Sequence, residues 1–378
     1  MRLTVLIVRF LVGLLFIFSG IVKLNDPMGL AFKLEEYFSP EVLHLSVLEP
    51  YTLGIAIFLI YAEIVLGVML LIRSYRDLTL YSLLAMVVFF TFLTFYSAYF
   101  DKVTDCGCFG DAISFTPWQS FSKDVILLLA IAFLIWKREW INPPSGLRFQ
   151  LNVIGGTLIF CALVTYKVLN HLPISDFRPF KEGASILEGM VVPASAQKPV
   201  YEYDWIFEKD GKEYVITTNG EFPQDPELGE FTGKEVKTRL IEKGYEPPIK
   251  NFNIIKDDTD FAAYFLDNPR LLLVVSRSID QYNRRQIDMI KGVTDNAFLD
   301  DYTIVGISPE NPEKMERFTE ESDLNFDYYL MDEVTVKTIV RSNPGFLILN
   351  RGVIEHKVHY KDAGELPIKN LKESPLIP

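Results

Sequence analysis

Cys106 and Cys108 stand two residues apart in the run Val103-Thr104-Asp105-Cys106-Gly107-Cys108-Phe109-Gly110-Asp111. A disulfide needs Cα atoms roughly 4.4–6.8 Å apart. An i,i+2 pair reaches that only in a tight turn, which the free backbone of Gly107 favours. So small a ring is strained, and strained, exposed disulfides are the ones that exchange. Dithiol–disulfide chemistry is therefore the leading reading, with Cys106 and Cys108 as catalytic candidates. A static bridge closing the loop comes second. A metal site comes last, because there is no second cysteine pair and His44, His171, His356 and His359 are scattered. Cys161, in an apolar helical run, reads as a packing residue, or as a resolving partner if a bend brings it near the pair.

The elements that must position this loop are membrane helices. Apolar segments run over roughly 4–22, 50–72, 78–99, 121–136 and 150–169, and a span takes about 20 apolar residues. The first is followed by Lys23-Leu24-Asn25-Asp26-Pro27 rather than a small-residue cleavage site, so it reads as a retained anchor. Arg2, Arg73, Arg76, Lys137, Arg138 and Arg148 fall on one side, which the basic-residue rule makes cytoplasmic. Five spans then place everything after about residue 170 outside, together with loops 23–49 and 100–120. In a Gram-negative cell that is an inner-membrane protein with a periplasmic C-terminal half. Two charges deep within the spans need an explanation, Arg9 and Glu63. Such charges usually pair or face a cavity. They are expected to form an intramembrane polar pair, either fixing helix packing or serving a proton relay or a quinone.

Composition divides the chain the same way. Residues 1–172 hold 12 Lys+Arg and 12 Asp+Glu, leaving 25 and 37 for the remainder, which carries the whole net charge of −12. That excludes a single soluble globule, a disulfide-dense secreted scaffold and a nucleic-acid binder acting through a basic field.

The run Phe18-Ser19-Gly20-Ile21-Val22-Lys23-Leu24-Asn25-Asp26-Pro27, with Arg9, Glu63 and the Cys106-Gly107-Cys108-Phe109-Gly110 loop, resembles the MauE/DoxX-type membrane proteins. The arrangement is similar to a Bacteroidetes subgroup that appends an outer-face domain. The resemblance covers about residues 1–140 and implies a four-helix, redox-associated membrane protein. MauE itself is linked to maturation of methylamine dehydrogenase, a disulfide-rich periplasmic enzyme; that target does not follow for this chain.

The exported half begins with residues 170–200, Pro-punctuated over 171–180 and 193–199, which read as a tether. A hairpin follows, Tyr201–Phe207 and Glu213–Thr218 across an Asp210-Gly211 turn. A short helix is expected around Lys234–Lys243. From about 251, strands and helices alternate. Leu271–Ser276 is a strand of the buried, parallel type, then come helix Gln281–Phe298, strand Tyr302–Ser308, helix Pro312–Glu321, strand Phe326–Met331, helix Thr335–Arg341, and a closing hairpin of Gly345–Asn350 with Val353–His359. This order resembles a thioredoxin fold, with Asn343-Pro344 where that family places its cis-proline. The resemblance implies a Cys-x-x-Cys after the first core strand. The chain reads Ser276-Arg277-Ser278-Ile279-Asp280 instead, and has no cysteine after Cys161. Since the thiolate is the nucleophile, this domain cannot exchange disulfides itself. Asn343 and Pro344 are then expected to hold a client by strand addition at an exposed edge.

The expected architecture is an all-α membrane bundle of four helices (1–140), a fifth spanning helix (141–172), a tether and hairpin region (173–250) and an α/β thioredoxin-like domain (251–378). The expected function is thiol–disulfide chemistry or maturation of periplasmic proteins. The partners would be periplasmic clients or a membrane redox protein, with a membrane quinone as the candidate cofactor and no nucleic acid or metal. The alternative is a non-enzymatic scaffold with a structural Cys106–Cys108 bridge.

Overall fold

The computed structural model describes residues 1–100, 110–113, 115–142, 146–209, 211–223, 230–232, 237–242, 244–374 and 376. Its N-terminal part is helical: α1 (Arg2–Asn25), α2 (Pro27–Phe38), α3 (Thr52–Leu71), α4 (Arg76–Phe100), α5 (Pro117–Trp136) and α6 (Leu147–Asn170). All but α2 are long and apolar enough to cross a membrane, α3 together with the 3-10 turn that leads into it. Only 6% of the apolar window of α6 is buried, against 39% for α1, so α6 lies at the periphery of a bundle made by the other four.

The buried positions of α1 include Val5, Arg9, Val12, Phe16, Ser19 and Lys23, and those of α3 include Ala56, Ile60, Glu63, Gly67 and Leu70. Both follow the helical stripe, so polar and apolar residues share the packed face. Small residues let the two helices touch. A Cβ on Gly20 would lie 2.4 Å from Ile64 Cγ1, and one on Gly67 would lie 2.9 Å from the Gly13 carbonyl oxygen. Close backbone approach of this kind is how membrane helices gain dispersion contact.

The sequence reading treated 23–49 as a loop, but it holds α2. Asp26 caps this helix, accepting from the Gly29 amide, and Pro27 fills its first turn. These are ordinary helix-start signals.

After α6 the chain does not run free. Arg178, Phe180 and Ile186 are buried, and Ile186 begins the short helix α7 (Ile186–Met190). Amides of Gly183 and Ile186 donate to the carbonyls of Ile354 and Gly352. Within the tether expected over 170–200, residues 178–190 are thus packed structure, held by apolar anchors that its prolines hid.

Next come four antiparallel strands, β1 (Val200–Lys209), β2 (Lys212–Thr218), β3 (Glu230–Phe231) and β4 (Lys237–Glu242). The β1–β2 hairpin stands where the Asp-Gly signal put it. Within the helix expected over Lys234–Lys243, the described residues Lys237–Glu242 form β4 instead, paired with β1 from Tyr201–Leu240 to Asp204–Lys237. Pairing with β1 overrides local propensity there.

The remainder is one mixed sheet: β5 (Ile255–Lys256), β6 (Thr259–Asp260), α8 (Ala262–Leu266), β7 (Leu271–Val275), α9 (Arg284–Leu299), β8 (Thr303–Ser308), α10 (Pro312–Glu321), β9 (Tyr328–Leu330), α11 (Glu333–Ile339), β10 (Gly345–Asn350) and β11 (Val353–His359). The strand order is β11-β10-β7-β8-β9-β5-β6. β7, β8 and β9 are parallel, and β10 is antiparallel to β7. Leu271, Leu273 and Val275 enter one core, and Leu272 and Val274 the other. This period-2 division explains why β7 is apolar at every position.

Candidate functional site

The first polar site lies inside the bundle. Lys23 Nζ is 2.9 Å from both carboxylate oxygens of Glu63, and Ser19 Oγ donates to Oε1 at 2.9 Å. Ser19 and Lys23 are one turn apart on the same face of α1. A second pair faces the same cavity: Asp124 of α5 pairs with Lys123 at 2.7 Å and accepts from Thr94 of α4 at 3.1 Å. Glu63, Lys23 and Asp124 are all buried.

The expected Arg9–Glu63 pair is not formed. α1 runs antiparallel to α3 with Gly20 opposite Ile64, which brings Arg9 level with the far end of α3. There its guanidinium donates to the carbonyls of Leu70 at 3.0 Å and Leu71 at 2.6 Å. Both carbonyls lie in the last turn of α3, where the i+4 ladder has ended and Leu70 has a 3.3 Å turn bond from the Arg73 amide, and a cation suits the negative end of the helix dipole. Seven residues at 1.5 Å rise separate this level from Glu63, about 10 Å. Hydropathy alone cannot fix helix register, so the partner was misassigned. The available signal was Lys23, which lies on the same buried stripe as Arg9.

The second site lies where the C-terminal domain meets the bundle. Arg341 Nε bonds Asp26 at 2.8 and 3.1 Å, and its Nη2 reaches Asp111 at 3.2 Å. Lys337 pairs with Glu35 at 3.2 Å. Arg277, Lys337 and Arg341 surround the ring of Phe32 at 5.3, 5.1 and 5.1 Å, within cation–π range. Phe32 and Glu35 come from α2 and Asp26 caps it, so the unforeseen helix carries much of the interface. On the far side, His171 Nδ1 lies 2.6 Å from Asp362. Between α2 and the turn after β7 is a cleft of about 500 Å³, lined by Phe32, Glu35, Arg277, Ser278, Glu310 and Lys337 among others.

In that turn Ser276 Oγ is 2.8 Å from the Tyr328 hydroxyl and 2.6 Å from that of Tyr282. Burial pushes both phenols well above their ordinary range. Two neutral phenols do not make Ser276 a nucleophile. Ser278 donates to Glu310 at 3.2 Å, but Glu310 is itself paired with Lys314 at 2.7 Å.

Asn343–Pro344 is a cis peptide bond. The Asn343 side chain accepts from the Arg277 amide at 2.8 Å and donates to the Ser278 carbonyl at 2.8 Å, while its own carbonyl takes Gln286 at 2.8 Å. Pro344 is buried, and β10 is paired along both edges, with β11 and β7. Strand addition at an exposed edge is therefore unavailable here; Asn343 braces the turn instead.

Cys106 and Cys108 lie outside the described residues. Gly110 and Asp111, next in sequence, begin a short 3-10 turn on the face that carries the C-terminal domain, as the Asp111–Arg341 pair requires. Cys161 is buried in the bundle core with Ile60 and Leu93, as a packing residue would be. Among the described residues no group of three His, Cys, Asp or Glu could hold a metal ion.

A family model described as "Methylamine utilisation protein MauE" matches residues 1–137. Among curated proteins, the chain is similar to Protein TlpB of Flavobacterium psychrophilum, with 26% identity over 158 residues. That match spans 40% of this chain and 42% of the relative, so the chain covers less than half of the protein it resembles. No solved structure matches. Residues 1–137 are thus similar to the MauE family, and the chain holds five helices long and apolar enough to cross a membrane.

Proposed function

We propose that this protein serves thiol–disulfide chemistry, or the maturation that depends on it, at the outer face of the inner membrane. Cys106 and Cys108 are its redox pair. Exchange balances without a further reagent: the two thiols become one disulfide while a partner protein's disulfide becomes two thiols, or the reverse. The observation that carries the reading is the Asp111–Arg341 pair at 3.2 Å, which brings the residues just after Cys106-Gly107-Cys108 against the C-terminal domain. The N-terminus is then cytoplasmic and the C-terminal domain periplasmic.

The C-terminal domain reads as thioredoxin-like. Support comes from β7, β8 and β9 running parallel, from antiparallel β10 and β11 beside β7, and from the cis Asn343–Pro344 bond facing the turn after β7. Lacking thiols, it holds the client or partner, and the cleft beside Arg277 and Phe32 replaces Asn343–Pro344 as the docking place. A quinone does not fit the intramembrane polar cavity. Its volume of about 30 Å³ suits a water molecule, so no step is routed through a quinone there.

The test is alkylation of free thiols in cells, read as a gel shift. The expected result is a mixture of reduced and oxidised Cys106–Cys108 that moves when cellular oxidases or reductases are deleted. A pair fully oxidised in every background overturns the redox reading. It favours the second one, a scaffold with a structural bridge, to which the thiol-free C-terminal half also points. In that case Cys106→Ser with Cys108→Ser lowers protein level and leaves client disulfides intact.

A further inference from the structure

Most of the charged side chains that line the cleft between α2 and the turn after β7 are already paired. Glu35 and Glu333 share Lys337, at 3.2 and 2.7 Å. Glu310 takes Lys314 at 2.7 Å and the Ser278 hydroxyl at 3.2 Å. Arg277 and Glu49 are different. Among the described residues neither the Arg277 guanidinium nor the Glu49 carboxylate makes a hydrogen bond or an ion pair, although both line this one cleft of about 500 Å³. Both are partly buried.

Burial lowers the pKa of Arg277 below the ordinary arginine value, against the pull of Glu35 and Glu333. That is the behaviour of a cation short of solvent and of acceptors. Phe32, 5.3 Å away, offers it a ring but no lone pair. The backbone behind it is fixed, because the Arg277 and Ser278 amides both donate to the Asn343 side chain, at 2.8 and 3.3 Å. A guanidinium is a planar fork that matches a carboxylate. Glu49 comes from the other wall, in the 3-10 turn Ser46–Tyr51 that leads into α3. One charge thus belongs to the C-terminal domain and the other to the bundle, and they do not pair with each other.

Given that a client docks in this cleft, as proposed above, we infer that the docked segment is a peptide carrying both charges, with an Asp or Glu side chain on Arg277 and a Lys or Arg side chain on Glu49. The volume suits a short segment, since ligand pockets run to about 300–1,000 Å³. Glu35, Glu310 and Glu333 turn away a polyanion. Because the segment touches both walls, it binds the docked arrangement of domain and bundle and strengthens it.

Fluorescence anisotropy on the full chain in lipid nanodiscs tests this, with heptapeptides blocked at both ends and carrying an uncharged dye. One set places Asp and Lys two, three or four residues apart in a Gly-Ser background. The controls replace Asp by Asn, Lys by Gln, or both. At least one Asp/Lys peptide should bind about tenfold or more tighter than its doubly neutral control. Arg277→Gln should abolish the preference for Asp over Asn and keep that for Lys over Gln; Glu49→Gln should do the reverse. Neither substitution removes a bond that the fold uses. Arg341→Gln, which loosens the docking, should weaken the charged peptide, and an unchanged affinity there overturns the two-walled site. Equal binding of charged and neutral peptides overturns the charge assignment, as does a preference for Asp that survives Arg277→Gln. If that equal binding is abolished by Gln281→Trp, which fills the cleft, client docking stands without the charges. Binding that ignores Gln281→Trp, or no binding by any peptide, overturns both.

Discussion

Arg341→Gln should release the C-terminal domain from the bundle at its central contact. The Arg341 side chain is 6% exposed and that of Asp26 is 16% exposed. The guanidinium makes two bonds to Asp26, one to Asp111 and one to the Lys337 carbonyl. At an effective dielectric of about 20, charges 4 Å apart attract by about 4 kcal/mol. Desolvation offsets part of that, and removing one partner of a buried pair costs about 3–5 kcal/mol. Asp111 is the more exposed partner and adds little. The expected loss is therefore about 3 kcal/mol of docking free energy, roughly a hundredfold rise in the opening constant. Amide hydrogen exchange over Pro27–Phe38 and Glu333–Ile339 reads that opening directly. Asp26→Asn should behave alike. The double variant should cost about 2 kcal/mol less than the sum of the singles, because both remove the same interaction. Additivity within about 0.5 kcal/mol would refute the latch.

Other outcomes follow from the same geometry. Arg9→Leu removes the guanidinium bonds to the Leu71 carbonyl and to the Leu70 carbonyl, which keeps the Arg73 amide, and should cost about 1–3 kcal/mol, read as earlier loss of helical signal in denaturant. Gly20→Leu cannot fit against Ile64; separation of α1 from α3 should appear as lower yield and faster proteolysis, whereas Gly54→Leu, with open space around it, should be tolerated. Burial lowers His359 to about 4, so between about pH 6.5 and 4 the unfolded chain binds a proton that the folded one refuses. Stability of the C-terminal domain should fall as pH falls through that window, by about 3 kcal/mol at most, and His359→Gln should flatten the melting profile there. Burial also lowers Lys357 to about 8 despite Asp176. Stability should therefore rise from about pH 8 towards pH 10.5, and Lys357→Met should remove that rise.

The five apolar helices were legible because each is a long apolar run, and β7 and the β10–β11 hairpin because their patterns are periodic and bounded by turns. What stayed hidden depended on tertiary contact. α2 is too short and too polar to register as a span, although Asp26-Pro27 marked its start. β4 exists because β1 offers it a partner, and 178–190 is ordered because Phe180 and Ile186 find the sheet. At the candidate site, burial of Glu63 could be read, but its partner depended on how α1 and α3 are registered, which is set by Gly20 and Gly67. Lys123 and Asp124 stand at the start of the fourth apolar segment; only packing shows that they face Glu63 across a cavity.

Arg341 and Asp26 are separated by 315 residues, and this has a consequence for biosynthesis. At about 5–20 residues per second, the ribosome needs tens of seconds after making Asp26 before Arg341 exists. The bundle is complete in sequence long before then. Through that interval Asp26 has the Gly29 amide but not Arg341, and Phe32 and Glu35 of α2 are without their partners in the C-terminal domain. The nascent bundle therefore passes through an undocked stage, in which the face of α2 that later meets Arg341 and Lys337 is open to other proteins.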